Sequence, residues 1–182
     1  MFRWLCLLYA RLTGWKVDVE SYTYLPKALV VQAPHTSSWD FPIGIFVRKE
    51  LDQNIQFLGK SSLFKWPFGG LFRSMGGYPV DRSGNKNFVD AAVEIINKHD
   101  KFLLHISPEG TRKKVDKIKS GWYYIAKGAK VPIIMSKFDW ENKIVSFSPP
   151  FYISEHYEKD VEHLVAFFKG TKGKVPEYSW PG

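Results

Sequence analysis

The chain has 182 residues, enough to bury one hydrophobic core and too few for two comfortable domains. A hydrophobic fraction of 45% excludes disorder, and the single cysteine, Cys6, excludes an intramolecular disulfide and a multi-cysteine metal site. The formal charge of +8 asks for an anionic partner, whether nucleic acid, anionic lipid or a phosphorylated substrate or carrier, without choosing among them.

In chain order, MFRWLCLLYARLTGW reads first as an apolar helix. Its length is roughly 22 Å at 1.5 Å per residue, short of a ~30 Å hydrocarbon core. Arg3 and Arg11 interrupt it and no small-residue cleavage site follows, so neither a spanning helix nor a signal peptide is expected. Phe2, Leu5, Tyr9 and Leu12 fall on one face, with Trp4, Leu8 and Trp15 on an adjoining one. Such a helix either packs into the domain or lies in a bilayer interface with its arginines at the headgroups. The Trp and Tyr content suits that interface, and a Phe-rich core would account for many of the aromatics equally well. Residues 1–16 are therefore set apart as a candidate membrane-contacting helix, and residues 17–182 as one α/β domain.

Short apolar runs then alternate with helix-period segments, which predicts a mostly parallel central sheet flanked by helices. Ala28 to Ala33 is a buried strand ended by Pro34, with His35 just beyond it. Residues 41–51 form a helix with Ile43, Phe46, Val47 and Leu51 inward, and 54–60 a second strand. The Gly- and aromatic-rich stretch 61–82 predicts a short helix, a bend at Pro67 and a strand at GYPV. Helix periodicity is clearest over 85–99, with Phe88, Ala91, Ala92, Ile95 and Ile96 as its stripe. A strand over 101–107, a helix over 121–129 and a strand over 130–135 follow. Residues 143–153 read as a strand or edge strand broken by two prolines, and 155–170 as the last helix. The predicted strands end at His35, near Lys60, near Arg82 and at Glu109, and parallel pairing would bring those groups to one sheet edge.

Two constellations carry candidate chemistry. His35 and Asp40 are five residues apart, which on a regular helix leaves them about 140° apart. They meet only if His35 lies in a loop folded back over a helix beginning near Asp40. A carboxylate on Nδ1 would then fix the tautomer and leave Nε2 as a base. The alternative is a helix-starting aspartate beside an unrelated histidine. In Pro108-Glu109-Gly110-Thr111-Arg112, the glycine allows close backbone approach, and Thr and Arg supply donors suited to phosphate. An ordinary turn has the same composition, and the basic run after it (Arg112, Lys113, Lys114, Lys117, Lys119) fits a solvated face or a binding surface. There is no Gly-x-Ser-x-Gly elbow, phosphate-loop motif, His-Glu-x-x-His motif or metal-ligand histidine spacing. His105, in an apolar strand, reads as a core histidine.

HTSSWD, GYPVDR, PEGTR and KVPII follow one another in that order. Together they resemble the glycerolipid acyltransferase family, the lysophosphatidic-acid acyltransferase or PlsC-like proteins, over residues 28–135. That family carries His-x4-Asp, Gly-x-x-x-x-Arg, Pro-Glu-Gly-Thr-Arg and a Val-Pro-Ile block. The resemblance implies that His35 is the general base and Asp40 its partner. It implies that Arg82 is the second-block arginine, and that Glu109, Gly110, Thr111 and Arg112 form the acceptor-phosphate site. Lys60 matches a basic position ahead of the second block, and Val131-Pro132-Ile133 a structural or acyl-lining block. Pro34 stands where members often have Asn, and Tyr78 and Pro79 where Phe or Ile is common, departures that bear on the acceptor. The implied reaction moves an acyl group from acyl-CoA or acyl carrier protein, as co-substrate, to a lysophospholipid hydroxyl. The first acceptor is 1-acyl-glycerol-3-phosphate, in phospholipid biosynthesis at the cytoplasmic face of a membrane. No metal, bound cofactor or nucleic-acid partner is implied. Stretch 63–72 is expected to supply part of the acyl groove. The alternative is the same fold acting on another lipid acceptor, such as an ornithine-lipid precursor or another lysolipid. The distant one is a non-enzymatic basic module on anionic membrane or nucleic acid, which leaves His35, Asp40 and the third block unexplained.

Overall fold

The structure is a computed structural model that describes residues 2–80 and 87–181. Its strands are β1 (Lys16–Val17), β2 (Lys27–Ala33), β3 (Ile55–Lys60), β4 (Gly77–Val80), β5 (Phe102–Ile106), β6 (Ile133–Asp139) and β7 (Ile144–Phe147). They form one sheet in the order β1-β7-β6-β2-β5-β3-β4. β2 runs parallel to both β5 and β6, and β3 parallel to β5 and β4, while β6 and β7 pair antiparallel. The helices are α1 (Phe2–Leu12), α2 (Asp40–Glu50), α3 (Gly69–Ser74), α4 (Phe88–Lys98), α5 (Gly121–Ala129) and α6 (Tyr157–Phe168). The fold is thus the predicted single-domain α/β arrangement with a mostly parallel sheet.

A strand buried on both faces reads as a continuous apolar run, and β2 does. Leu29, Val31 and Ala33 enter one core with Ala92 and Ile96 of α4, Trp122 and Ile125 of α5, and Leu164 and Phe168 of α6. Ala28 and Val30 enter the opposite core with Leu7 and Ala10 of α1 and Ile43, Phe46 and Val47 of α2. The inward face predicted for α2 is therefore the one that packs, and Leu51 beyond its end joins it.

Several local expectations change. In α1 the small residues Cys6 and Ala10, with Leu7, turn inward, while Leu5 and Leu12 of one expected face and Trp4 and Leu8 of the other are exposed; Tyr9 is half-buried and Trp15, beyond the helix end, is buried in the core. Small side chains let α1 sit close to α2, which leaves its bulk outside. No helix among the described residues is long and apolar enough to cross a membrane. In α4 the inward face is Ala92 and Ile96, as expected, with Val89, Val93 and the predicted Ile95 packed partly against the core, while Phe88 is exposed. β7 is not an edge, because the two-residue β1, too short to leave a periodic signal, pairs on its outer side. Stretch 61–76 forms a 3-10 turn at Ser61–Phe64 and then α3, with β4 following.

Candidate active site

Parallel pairing places the C-terminal ends of β2, β3, β5 and β6 at one sheet edge, where open α/β sheets carry their sites. His35 leaves β2 there, and α2 begins five residues later. The intervening loop folds His35 back so that its Nδ1 lies 2.8 Å from Asp40 Oδ2. The same oxygen accepts the Ser37 N–H at 3.2 Å. Asp40 therefore holds the histidine and the loop before α2, and it does not cap the helix, whose cap residue is Trp39 without a side-chain hydrogen bond. A carboxylate can only accept, so Nδ1 carries the proton and Nε2 of the neutral ring has a free lone pair. Asp40 is buried, and the His35 side chain is 27% exposed, open enough to meet a substrate.

The loop is fixed from below. Glu109, in the turn after β5, is buried, and its Oε1 accepts the His35 backbone N–H at 2.8 Å. Its Oε2 is buried without a hydrogen-bond partner. Burial pushes this carboxyl up to about 7, against the smaller pull of the His35 N–H. Gln32, the polar break in the apolar run of β2, donates to the Pro34 carbonyl at 2.7 Å and accepts the Ser107 hydroxyl at 3.1 Å. It ties the end of β2 to the end of β5.

An apolar cavity of about 230 Å³ opens beside the dyad, between α2 and the sheet. Phe41, Gly44, Ile45, Val47 and Arg48 line it from α2, with Val30, Phe57, Phe138 and Met75 opposite. His105 faces this cavity rather than a solid core, and burial, with His35 adding to it, pushes its imidazole down to about 4. Arg48 closes the far end, where its guanidinium donates to Asn54 Oδ1 at 2.6 Å and also borders a polar cleft with Arg3 and Ser74. Residues 63–72 do not line the cavity; Trp66 and Phe68 project outward instead.

The third block splits by depth. Glu109 is buried, whereas Thr111 and Arg112 are exposed on the turn. Gly110 takes φ +64, and a Cβ there would come 2.8 Å from Lys119 Nζ. Lys119 also donates its backbone N–H to the Pro108 carbonyl at 2.9 Å. One lysine of the basic run thus lies against the glycine turn. Lys60 ends β3, two strands from β2, or about 10 Å away at ~4.8 Å per strand, and is exposed. Arg82 lies outside the described residues. Among the described residues no group of three or more His, Cys, Asp or Glu is placed to hold a metal ion. Cys6 is buried against Ile45 and Met75, and burial pushes its thiol up.

Sequence reasoning missed Gln32, whose signal was a polar side chain inside a buried strand. It also missed Trp140, whose indole Nε1–H donates to Asp40 Oδ1 at 2.8 Å from 100 positions away. Nothing local marks that residue.

A carboxylate-held histidine lies beside an apolar cavity, with the glycine turn of the third block at the same sheet edge, and an imidazole so held can accept a proton through Nε2. The family model described as Acyltransferase matches residues 16–135, and the chain belongs to that family, the glycerolipid acyltransferases that its four motifs resemble. No curated protein compared with the chain matches it.

Proposed function

We propose that the protein transfers a fatty acyl group from acyl-CoA or acyl carrier protein to the hydroxyl of a lysophospholipid, with 1-acyl-glycerol-3-phosphate the first acceptor, in phospholipid biosynthesis. The observation that carries this reading is the 2.8 Å His35–Asp40 pair in the lining of the apolar cavity.

In the proposed reaction His35 Nε2 takes the proton of the acceptor hydroxyl as its oxygen attacks the thioester carbonyl. The C–O bond forms, the tetrahedral intermediate collapses, the C–S bond breaks, and the proton passes from the imidazolium to the departing thiolate. Asp40 stabilises the imidazolium between these events. The acyl group moves directly to the acceptor, so no protein nucleophile, metal or bound cofactor takes part. The acyl chain occupies the cavity under α2. Thr111, Arg112 and Lys119 hold the acceptor phosphate, with Arg82 and, more remotely, Lys60 as further basic groups. The exposed Trp4, Leu5, Leu8 and Leu12 of α1 rest on an anionic bilayer at its cytoplasmic face, drawn there by the +8 charge.

The test is thiol release from acyl-CoA and from acyl carrier protein, with and without lysophosphatidic acid, by wild type and His35→Ala. Acceptor-dependent release should fall by about 10²–10⁴ in the variant. Release that responds to another lysolipid but not to lysophosphatidic acid moves the reaction to that acceptor. Equal rates for wild type and His35→Ala would remove the histidine from the chemistry.

A further inference from the structure

The family model ends at Met135, yet the dyad is gripped by residues beyond it. Asp40 has two oxygens. Oδ2 holds His35, and Oδ1 accepts the indole N–H of Trp140, the residue immediately after β6, at 2.8 Å. The Trp140 ring is held edge-on against the buried Trp15, with centroids 4.9 Å apart. Its backbone N–H donates to the Lys172 carbonyl at 2.9 Å.

Lys172 begins the segment that returns over the site after α6. Gly173 lies so close to Thr36, in the loop that carries His35, that a Cβ there would come 2.5 Å from Thr36 Oγ1. The Val175 N–H donates to the same hydroxyl at 3.1 Å. Between these anchors, Lys174 places its ammonium 4.7 Å from the Trp140 ring and 5.0 Å from the Trp39 ring. The indole is thus gripped from outside by a cation over its face, while its N–H points inward at the carboxylate.

We propose that Trp140 is a positioning residue of the dyad, the third member of a His35–Asp40–Trp140 chain, clamped by the segment 172–175. The inference rests on the acyl-transfer reading above. An indole N–H donates only, so it satisfies Oδ1 without competing for the proton that His35 moves. It holds the carboxylate against rotation, which keeps Oδ2 on Nδ1 and so fixes the orientation of the imidazole in the cavity lining. A buried carboxylate oxygen stripped of its donor would swing to find another, taking the imidazole with it. The other ionisable groups around the chain are Glu109 and His105 on the sheet side and Lys174 outside.

Two measurements on the full chain decide it. The first compares wild type with Trp140→Phe and with benzothienylalanine placed at position 140, which keeps the indole shape and loses the N–H. Both should lose about ten- to a hundredfold in kcat, with KM for donor and acceptor within about twofold. A rate within about twofold of wild type in the benzothienylalanine protein would overturn the proposal, and that protein serves where Trp140→Phe does not fold. The second is the indole ¹H–¹⁵N resonance of Trp140, which needs no turnover. It should shift upfield and exchange faster with solvent in Asp40→Ala, and it should move with pH over the range in which the His35 ring protons move. An indole resonance indifferent to both would also overturn it. Activity unchanged in His35→Ala would sink the His35 role in the acyl-transfer reading on which this inference rests. A dead His35→Ala enzyme beside fully active position-140 variants would sink this inference alone.

Discussion

Gly44 sits in the interior of α2, where a glycine weakens a helix by roughly 0.5–1 kcal/mol relative to alanine. Its place on the helix explains its use. The cavity-lining positions of α2 are Asp40, Phe41, Gly44, Ile45, Val47 and Arg48, and at ~100° per residue Gly44 falls near the middle of that sector. A Cβ built there meets no atom within 4 Å. Replacing Gly44→Leu therefore starts a side chain from open space toward the cavity. From Asp40 to Arg48 is eight residues of helix, or about 12 Å, and Gly44 lies about 6 Å from either end. An extended acyl chain of ~1.5 Å bonds advances roughly 1.3 Å per bond, so about nine fit along α2 and about five reach Gly44. The leucine should exclude the remaining four methylenes, each worth ~0.8 kcal/mol when buried, or about 3 kcal/mol in all. That is a loss of at least a hundredfold in kcat/KM for long acyl thioesters, with butanoyl and hexanoyl donors little changed. Tm should rise by about 1–4 °C as the helix gains a better former. The assay is thiol release over donors from butanoyl to hexadecanoyl, beside a thermal melt. A folded Gly44→Leu protein that keeps its long-chain activity would refute the placement of the chain along α2.

Three further outcomes follow from the site. Glu109 holds its proton up to about 7 in the folded state against an ordinary 4.5, so its contribution to stability is full below pH 4.5 and is lost as pH rises through 7. That contribution is roughly 3 kcal/mol at most. His105, depressed to about 4, acts in the opposite sense between pH 4 and 6.5, so the informative quantity is the difference between wild type and Glu109→Gln. Denaturant midpoints should show the variant gaining on wild type from pH 5 to pH 8, and parallel curves would clear the carboxyl. Arg112→Ala should raise KM for lysophosphatidic acid about tenfold or more and leave an unphosphorylated lysolipid unaffected; equal effects on both would remove Arg112 from the phosphate site. Leu8→Ser with Leu12→Ser should release the protein from anionic vesicles, since each leucine loses roughly 1.5–3 kcal/mol of transfer free energy. Sedimentation with vesicles reads this directly, and undiminished binding would place the membrane contact elsewhere.

The apolar run of β2 and the stripe Ile43, Phe46, Val47 and Leu51 of α2 were legible because side-chain periodicity is a local property of the chain. The four ordered motifs were legible for a different reason: their residue types at those spacings are jointly rare, and they pointed to the acyltransferase family that residues 16–135 match. The faces of α1 were not legible, because nearly all of its circumference is apolar and only the close approach of α2 selects Cys6, Leu7 and Ala10. The five-residue spacing of His35 and Asp40 was equally compatible with contact and with none. The Glu109 carboxylate under the His35 N–H, from 74 positions away, holds the loop in the conformation in which they touch. The same holds for Trp140 on Asp40 and for the cavity behind Gly44, which exists only as the space between α2 and the sheet. Local periodicity and residue chemistry determined which elements form and which side chains can react. Contacts closed over tens of residues decided which of them meet, because a hydrogen bond reports a distance in space that no spacing along the chain encodes.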